Sequence, residues 1–379
     1  MKILHVVTYV SPDGAFGGPT RVALGQAAAL ADRGHDVSVY AGAPRRLAKT
    51  TVVDGFTLRT FPAYRVAPTG GFAMLTAPAM LRAIRRNADD FDVAHIHLAR
   101  DLVTLPALHA IRTARVPYVA QTHGMIDKSE HLLSVPLDAL LTRPLLRHAT
   151  SVLTLTDRER TDIQSVEPRA QTRMISNGVK VPDSQELSAM ADRKRLILFL
   201  ARLAPRKRPL AFVEMAKLLE NELPDYEFVI AGPDEGEGSK VQEAISASGM
   251  AGRLRWIGSV EPGETHRLLS SAQVYVLPSL NEVFPMSILE AFQAGTPVVT
   301  TDSLGLADRC TKFGAAIVTD ASPHQLSEAV MAIVRDQSTA SDLRLGGLAL
   351  LKEQLDIDTV AKELESVYNN SLKVIRETN

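Results

Sequence analysis

The first half of this 379-residue chain alternates short apolar, β-branched runs with segments of helical periodicity, and this pattern constrains the fold more than any other feature. Strands are predicted at 2–9, 36–41, 57–61, 92–97, 117–121, 151–155 and 172–175. Helices are predicted at 19–33, 71–87, 102–115 and 157–165. Short β-branched runs between helices are typical of βα units, so the sequence predicts a parallel sheet with both faces covered.

The same alternation restarts after a polar stretch at 178–194, which we interpret as an interdomain linker. Beyond it, strands are predicted at 195–200, 226–232, 254–258, 274–278 and 297–300, with helices at 208–221, 239–249 and 263–271 and between the last two strands. The sequence therefore predicts an α/β protein with two doubly wound domains, the first at 1–180 and the second at 194–355. The tail is helical by period, and its last helix is predicted at about 359–376.

The composition is that of an ordinary soluble protein, with 45% apolar residues, 22% charged residues and a net charge of −1. A charge balance so close to neutral gives no reason to expect nucleic acid as a partner. The single cysteine excludes an internal disulfide and fits a reducing compartment, so a cytoplasmic location is expected. The first ten residues are interpreted as a buried strand rather than a signal peptide, and no window of about 18 apolar residues predicts a membrane span.

Residues 280–300 hold two carboxylates, Glu282 and Glu290, between two predicted strands of the second domain. In open α/β sheets, ligands bind where strands end and helices begin, and helix N-termini there favour anions. Two carboxylates beside an anion site indicate a ligand with both phosphates and hydroxyls, such as a nucleotide sugar. The structural alternative is a capping box, because Ser287 and Glu290 have the S-x-x-E spacing.

A second candidate site is the basic stretch A-R-L-A-P-R-K-R-P at 201–209, directly after the strand predicted at 195–200. Arg202 offers a planar fork of donors and Lys207 a mobile point charge, and both suit a diphosphate. In isolation, a basic stretch of this kind is more often a solvated surface.

Two further candidates follow strands of the first domain. Gly17 and Gly18, with Pro19, come between the first strand and the first helix, where glycine lets a backbone approach a ligand closely. His123 comes directly after the strand at 117–121. Alone, a G-G-P is more often a turn, and a lone histidine is more often structural. The chain has no G-x-G-x-x-G at this place, which counts against a hydride-transfer enzyme.

Together these motifs resemble the signature of the retaining glycosyltransferases of family 4, also called group 1. The resemblance rests on E-x7-E followed by A-F-Q-A-G-T-P-V-V, on the basic stretch, on the glycine and histidine motifs, and on N-G-V at 177–179. It covers nearly the whole chain. It implies the GT-B fold, in which two Rossmann-like domains face each other across a cleft and the last helix crosses back onto the first domain.

The resemblance also implies roles for single residues. Glu282 contacts hydroxyls of the transferred sugar, and Glu290 holds the nucleotide ribose. Arg202 and Lys207 hold the diphosphate and stabilise the charge that develops on it. His123 contacts the donor sugar or its phosphate.

The glycine motif and three departures from the family pattern complete these expectations. Gly17 and Gly18 are expected to lie over the donor phosphate and the acceptor. The family often has glycine at the position of Pro285, where a backbone N–H faces the donor substrate. Proline has no N–H and cannot make that contact. The contact with the donor sugar nucleotide is therefore expected to be absent or to come from Phe284, Met286 or Ser287. Ala201 and Arg208 also stand where the family pattern has glycines.

No metal site is predicted. The D-x-D patterns at 90–92 and 356–358 lie before a strand and in the helical tail, away from the ligand-binding ends of strands. His95 and His97 share one face of a strand, but a zinc site needs further N or S ligands and none is evident. We interpret His95 as a core residue and place His97 at the rim of the cleft.

The acceptor side is less specific. The segments at 74–86 and 131–148 are leucine-rich and basic, with arginines at Arg82, Arg85, Arg86, Arg143 and Arg147. A basic amphipathic segment can bind an anionic membrane peripherally. The alternative, which we favour, is an ordinary core-facing helix with solvated arginines.

The sequence thus predicts a retaining, metal-independent hexosyl-type glycosyltransferase of glycoconjugate biosynthesis. It would use a nucleoside-diphosphate sugar as donor substrate, need no cofactor, and act on a sugar, lipid-linked or small-molecule acceptor. Base recognition is expected from backbone atoms near Gly232 and at Trp256–Val260. The alternatives are a nucleotide-sugar 2-epimerase, which needs no acceptor, and a non-catalytic nucleotide-sugar-binding protein. The sugar, the base and the oligomeric state are not predicted.

Overall fold

The computed structural model describes residues 1–11, 17–67, 71–128, 134–183, 187, 189–250 and 252–378. The described part of the chain divides into two compact units. The first unit comprises the described residues up to Gly178 together with the segment from Ile357 onward, and the second runs from Val179 to Asp356. The polar stretch at 178–194, interpreted above as a linker, is therefore grouped almost entirely with the second unit.

The first unit is built on a sheet with the strand order β10-β9-β8-β7-β1-β2-β4-β3. Its neighbouring strands are parallel, except that β3 pairs with β4 in the antiparallel sense. A short antiparallel ribbon, β5 and β6, stands beside it. The strands are β1 Lys2–Tyr9, β2 Asp36–Ala43, β3 Thr50–Val53, β4 Phe56–Pro62, β5 Tyr64–Arg65, β6 Leu75–Thr76, β7 Val93–His97, β8 Tyr118–Gln121, β9 Ser151–Thr154 and β10 Thr172–Met174.

The second unit is built on a parallel sheet with the strand order β13-β12-β11-β14-β15-β16. The order reverses direction between β11 and β14, as in other doubly wound sheets. The strands are β11 Lys194–Leu200, β12 Glu227–Ala231, β13 Leu254–Trp256, β14 Ala272–Val276, β15 Val298–Thr301 and β16 Ala316–Thr319.

Helices cover the faces of both sheets. They are α1 Gly17–Asp32, α2 Pro78–Asn87, α3 Thr104–Thr113, α4 Ser134–Leu137, α5 Arg143–His148, α6 Asp157–Val166, α7 Pro209–Leu218, α8 Gly238–Ala247, α9 Pro262–Ser271, α10 Met286–Gln293, α11 Ala307–Phe313, α12 Pro323–Arg335, α13 Gln337–Gln354 and α14 Ile357–Thr378. None of the described helices has the length and apolar character that a bilayer crossing requires. The predicted α/β class with parallel sheets is confirmed.

The central strands are buried on both faces, which explains why they read as continuous apolar runs. In β1, Leu4 and Val6 join one core cluster, with Met80 of α2 among its members. Ile3 and Val7 point the other way into a second cluster, which α1 and α14 also line. The C-terminal helix α14 thereby forms part of the core of the first unit, although its sequence comes after the whole second unit.

Some elements differ from the sequence-based expectations. The strands β3 and β16 and the helix α11 were not predicted. The helix predicted at 71–87 begins only at Pro78, because residues 71–74 form a tight turn and 75–76 pair with β5. Such short pieces carry too few residues for a periodic signal, so only the surrounding packing defines them.

The chain leaves the first unit and returns to it at adjacent points. A Cβ on Gly178 would lie 2.9 Å from the Cα of Ile357, so glycine is needed for the two backbones to approach. One residue further on, the Val179 amide donates to the Leu355 carbonyl at 3.0 Å. The N-G-V motif at 177–179 therefore has a structural role at this crossing.

Candidate functional site

The two carboxylate and basic motifs of the second unit come together at one edge of its sheet. The strands β11 and β14 are parallel neighbours, so the loops that follow them start at the same edge. Lys207 ends a short turn at 205–207 after β11, and Glu282 lies in the loop after β14. The Leu280 amide donates to the carbonyl of Arg206 at 2.9 Å and ties the two loops together.

Lys207 and Glu282 form a buried ion pair, between the Nζ atom of the lysine and Oε1 of the glutamate. Their residues are only 7% and 8% exposed. Burial by itself would raise the pKa of Glu282, but the charges of Lys207 and Arg206 outweigh it and hold that pKa below its ordinary value. Burial lowers the pKa of Lys207, although Glu282 opposes the shift. The sequence placed these residues in separate motifs and did not anticipate that they contact each other.

The second carboxylate oxygen of Glu282 is the more informative one. Its Oε2 atom is buried, and the Ser279 hydroxyl helps to lower the pKa of the Glu282 carboxylate. Neither Glu282 Oε2 nor Ser279 Oγ makes a well-directed hydrogen bond within the described residues. A buried ionised oxygen without a directed donor is costly unless a ligand supplies one. The main chain of Glu282 is held in place, because its carbonyl accepts from the Gly305 amide at 2.9 Å.

The capping-box interpretation of Ser287 and Glu290 is wrong. The helix α10 has Pro285 as its N-cap, so Ser287 already lies inside the first turn and makes no capping hydrogen bond. Its Oγ instead lies 2.7 Å from the hydroxyl of Tyr275 on β14. Glu290 sits further along the same short helix and is half-buried.

Pro285 fits its place because its φ of −76° is the value that the proline ring imposes. Phe284 before it is buried, and Met286 after it is half-buried. The first amides of α10, on Met286 and Ser287, precede the intrahelical hydrogen bonds and form its partly positive end. The structure thus offers the two alternative donors at 286 and 287 on the helix itself.

The other member of the basic motif, Arg202, is in a different environment. Its Nη1 atom forms an ion pair with Oε1 of Glu235, and the two side chains are 31% and 41% exposed. Glu235 lies in the loop after β12 and belongs to none of the predicted motifs. This pair is accessible, unlike the buried pair of Lys207 and Glu282.

Arg208 and Ala201 occupy two positions where the family pattern has glycine, and their backbone conformations differ. Arg208 adopts a left-handed backbone with φ of 53° and ψ of 50°, a conformation in which glycine is the unstrained residue. Its side chain donates to the Ala321 carbonyl at 2.5 Å. Ala201 has no positive φ. The true glycine requirement nearby is at Gly232, where φ is +145° and a Cβ would lie 1.9 Å from the carbonyl oxygen of Ala201.

Gly232 also anchors the region expected to recognise the base. Its amide donates to the Gly258 carbonyl at 2.7 Å, and its carbonyl accepts from Nε1 of Trp256 at 2.9 Å. Asp234 follows, and its Oδ1 accepts from the amides of Gly236 and Gly238 at 2.9 and 2.8 Å. These backbone hydrogen bonds lower the pKa of Asp234 and cap the start of α8.

In the first unit, His123 lies in a strained turn just after β8. Its φ is 52°, and Gly124 beside it has a φ of 72°. Glu159 of α6 holds this turn, because its Oε1 accepts from the Thr122 hydroxyl and from the Gly124 amide, both at 2.6 Å. Its Oε2 accepts from the amide of Leu155, also at 2.6 Å. Strained non-glycine backbone is often retained at functional sites, and Glu159 is a supporting residue that the sequence analysis missed.

The glycine motif begins α1 rather than forming a loop. The helix starts at Gly17, and Gly18 is exposed, with no described residue beyond its own stretch of helix within 4 Å of the place where a Cβ would stand. The expectation that these glycines lie in a loop is therefore wrong. Residues 12–16 of the same motif lie outside the described residues.

Three histidines of the first unit cluster under α14. His5 on β1 is the registered partner of His95 on β7, and His97 follows on the same face. One nitrogen of each lies within 4.8 Å of the others, and all three side chains are buried. No further nitrogen ligand beside His95 and His97 was expected from the sequence, but the pairing of β1 with β7 places His5 next to them. His97 is 1% exposed and is a core residue, so its expected place at a rim is wrong.

The remaining sequence candidates lie elsewhere. Asp92 precedes β7 and accepts from the Lys2 amide at 2.7 Å, at the opposite ends of the strands from His123. The arginines of α2 are exposed, whereas Met80 and Ile84 face the core, so this helix fits the core-facing interpretation. In the other leucine-rich basic segment, Leu140 precedes α5 and is exposed, so it does not face the core.

Comparison with known proteins places these observations in a family. The profile described as "Glycosyl transferases group 1" matches residues 182–347, and that of the "Glycosyl transferase 4-like domain" matches 17–178. A phosphatidyl-myo-inositol mannosyltransferase of Mycolicibacterium smegmatis is 29% identical over 93% of this chain and 90% of its own. A 2-deoxystreptamine N-acetyl-D-glucosaminyltransferase of Niallia circulans is 30% identical, over 45% of this chain and 44% of its own.

Solved structures agree on the fold. Anabaena HepE in complex with UDP and glucose has a TM-score of 0.74 at 18% identity, over 97% of this chain and 99% of its own. The sucrose-phosphate synthase of Thermosynechococcus elongatus has a TM-score of 0.75 at 15% identity, over 98% and 99%. The chain therefore belongs to the group 1, or family 4, glycosyltransferases and has their GT-B fold.

Proposed function

We propose that this glycosyltransferase moves a hexosyl group from a nucleoside-diphosphate sugar to an acceptor hydroxyl with retention of configuration and without a metal. The observation that carries this proposal is the edge of the second sheet, where Lys207, Glu282 and the first turn of α10 converge. Cationic side chains and helix amides suit a diphosphate, and an undirected buried carboxylate oxygen suits a sugar hydroxyl.

In the proposed reaction, the acceptor oxygen bonds to the anomeric carbon on the face from which the diphosphate departs. The bond from that carbon to the diphosphate oxygen breaks, and the acceptor proton passes to an oxygen of the leaving diphosphate. Lys207 and Arg202 stabilise the charge that grows on the diphosphate. Glu282 would orient sugar hydroxyls through Oε2, and Glu290 would hold the ribose.

His123, Gly17 and Gly18 complete the proposal from the first unit. The resemblance assigns His123 to the donor sugar or its phosphate, and the exposed Gly18 leaves open backbone for a ligand. Backbone amides at Met286 and Ser287 would replace the contact that Pro285 cannot make. These assignments are tested residue by residue through the donor dissociation constant of each variant.

The relatives narrow the class of acceptor that we propose. The names of several refer to inositol or 2-deoxystreptamine, which are both cyclohexane rings that carry hydroxyls. We therefore propose a small polyol ring, free or lipid-linked, as acceptor in glycoconjugate biosynthesis. The donor assignment rests mainly on residues of the second unit, so acceptor identity is a separate question from donor identity.

A thermal-shift panel of UDP, GDP and ADP sugars tests the donor proposal first. A ligand present at 100 times its dissociation constant should stabilise the protein by about 2.7 kcal/mol. The nucleotide that stabilises is then supplied as its sugar with a panel of polyol acceptors. Turnover of donor alone to an epimer would contradict the transferase proposal and favour an epimerase, and binding without any turnover would favour a non-catalytic protein.

Retention and metal independence need their own measurements. The proton coupling constant at the anomeric carbon of the product reports whether configuration is retained. Activity should be unchanged in excess EDTA, because Lys207, Arg202 and the α10 amides supply the positive charge that a metal provides elsewhere. Activity that disappears with EDTA and returns with magnesium or manganese would overturn this part of the proposal.

A peripheral membrane contact is proposed only for the segment around α4 and α5. Val135 and Leu140 are 68% and 75% exposed, and Arg143 beside them is exposed as well. Apolar side chains next to a cation can insert into an anionic interface. Co-sedimentation with phosphatidylglycerol vesicles should fall for Leu140→Ser, and equal binding of both proteins would reject this contact.

A further inference from the structure

A continuous hydrogen-bonded chain runs from His123 into the core of the first unit. His123 Nε2 lies 2.8 Å from His97 Nδ1, and His97 Nε2 lies 3.2 Å from His5 Nδ1. His5 Nε2 lies 3.4 Å from the hydroxyl of Tyr368 on α14. That hydroxyl lies 2.7 Å from His95 Nδ1. Apart from His123, which is half-buried, every member is at most 1% exposed.

The imidazoles in this chain are neutral near pH 7. Burial lowers the pKa of His5 and of His123 to about 3. Burial, and then the neighbouring histidines, lower the pKa of His95 and His97 well below the ordinary value. A neutral imidazole has one N–H donor and one acceptor nitrogen, so the direction of one hydrogen bond in the chain fixes all the others.

The buried end of the chain sets that direction. A phenol has one proton to donate, and the 2.7 Å contact to His95 Nδ1 is far shorter than the 3.4 Å contact to His5 Nε2. Tyr368 therefore donates to His95 and accepts from His5. His95 then accepts at Nδ1 and carries its proton on Nε2, a nitrogen without a directed hydrogen bond to any described residue.

The same rule sets the direction of the hydrogen bonds from His5 through His97 to His123. His5 donates through Nε2 and accepts at Nδ1, so His97 donates to it through Nε2 and accepts at its own Nδ1. His123 must then donate through Nε2. Its Nδ1 atom, which forms no hydrogen bond to any residue that the structure describes, is left as an acceptor lone pair.

We propose that Tyr368, His5 and His97 are positioning residues that hold His123 as the Nε2–H tautomer, so that His123 Nδ1 accepts a hydrogen bond from a ligand hydroxyl. That the ligand is the sugar of a nucleotide donor rests on the function proposed above. His123 therefore selects ligands that present a hydroxyl donor at that position, and it cannot serve an acceptor such as fluorine.

Metal binding by the three clustered histidines is the competing explanation. The rings of His95 and His97 are stacked, with centroids 4.6 Å apart and planes 14° apart. Imidazole lone pairs lie in the ring plane, so two stacked rings cannot both direct a lone pair at one ion. The observed orientations therefore favour a hydrogen-bonded chain over a metal site.

Tautomers can be read directly by long-range proton–nitrogen NMR of protein labelled with ¹⁵N-histidine. The His123 signal is assigned by its loss in His123→Asn. We expect the wild-type protein to show His123 with its proton on Nε2, and Tyr368→Phe, which removes only the hydroxyl, to show a mixture of tautomers. A wild-type His123 with its proton on Nδ1, or stoichiometric metal in the purified protein by elemental analysis, would overturn the inference. If Tyr368→Phe does not fold, the wild-type spectrum still reports the His123 tautomer, and the metal content still tests the competing metal site.

A donor analogue gives an independent readout. In a series in which each sugar hydroxyl is replaced by fluorine, one analogue should lose its contact with His123 and show a KM raised on the order of tenfold. For His123→Ala, that analogue and the natural donor should have similar KM values. If no analogue shows this pattern while the NMR shows the Nε2–H tautomer, the ligand assignment is wrong and the positioning role stands. If no nucleotide stabilises the protein at all, the function proposed above fails, and the NMR result still decides the tautomer.

Discussion

The two units bury polar side chains in different ways: the second unit uses ion pairs, whereas the first unit uses neutral histidines. In the second unit, Lys207 and Glu282 are buried as an ion pair, and Arg202 and Glu235 form a more exposed one. In the first unit, His5, His95, His97 and His123 are buried as neutral imidazoles in one hydrogen-bonded chain. Glu159 brings a carboxylate to that turn, and three hydrogen-bond donors surround it.

The two arrangements suit different chemical groups. A diphosphate carries charge that increases during bond cleavage, and fixed cations respond to that increase. A sugar hydroxyl is neutral and directional, and a neutral imidazole of fixed tautomer responds to its direction. The comparison predicts that acid pH lowers the stability of the first unit. It predicts that removing a buried charge from the second unit lowers kcat, and that removing an exposed charge changes nucleotide affinity least.

The largest expected effect is acid destabilisation of the first unit. His5, His95 and His97 have folded pKa values far below the unfolded value of 6.5, so between those values the unfolded state binds more protons. Stability is complete above pH 7 and falls as pH drops through 6.5. From pH 7.5 to 5.5 the loss is about 1.4 kcal/mol for each histidine, or about 4 kcal/mol in total.

Urea denaturation at both pH values measures this loss. The single tryptophan, Trp256, lies in the second unit, so its fluorescence follows that unit, whereas far-UV circular dichroism follows both. At pH 5.5 the circular dichroism transition should begin at lower urea than the fluorescence transition. A circular dichroism midpoint that is the same at pH 7.5 and 5.5 would contradict the neutral burial of the histidines.

The second effect concerns catalysis in the second unit. Lys207→Ala should lower kcat on the order of 10²-fold or more, with a smaller effect on KM, because its charge is most effective in the transition state. Arg206→Ala is the matched control, since Arg206 is exposed on the same turn. Steady-state kinetics on both variants decide the matter. Equal losses would mean that the site is a diffuse basic surface.

Stability must be checked beside these kinetics. Removing Lys207 leaves Glu282 buried and without its ion-pair partner, which should destabilise the second unit by about 3 kcal/mol or more. Circular dichroism at the assay temperature therefore accompanies the Lys207→Ala measurement. A variant that is folded and still inactive separates the catalytic role from the structural one.

A third, smaller effect separates nucleotide binding from chemistry. Glu290→Ala should weaken donor and free nucleoside diphosphate alike, by about 1.5–3 kcal/mol for one charge-assisted hydrogen bond. Isothermal titration calorimetry gives both constants, with Glu214→Ala, an exposed change on α7, as control. An unchanged nucleotide affinity in folded Glu290→Ala protein would remove the ribose role from Glu290.

The smallest effect is expected at the exposed pair. Glu235→Gln frees Arg202 from an ion pair that competes with a diphosphate, but exposed pairs contribute only about 0.2–1 kcal/mol. Nucleotide affinity should therefore rise by about threefold or less, and the gain should shrink in high salt as the charges are screened. A loss of affinity would instead make Glu235 part of the binding site.

Local sequence determined much of this protein. Short β-branched runs between helices specify buried parallel strands, and the predicted strands of both halves are present with bounds shifted by at most two residues. The motifs containing Arg202, Lys207, Glu282 and Glu290 could be located because strand ends are where ligands bind in such sheets. Periodicity was sufficient for the strands, whereas the roles given to these four residues rest on the family resemblance and stay predictions.

Tertiary structure alone decided which residues meet. Lys207 and Glu282 are 75 residues apart, His5 and His97 are 92 apart, and Tyr368 reaches His5 from 363 residues away. Glu159 and Glu235 belong to no motif in the sequence. Ser287 belongs to an S-x-x-E spacing that wrongly suggested a capping box. Sequence patterns report local backbone preference and burial, whereas ion pairing and tautomer depend on distances that only strand register and helix packing set.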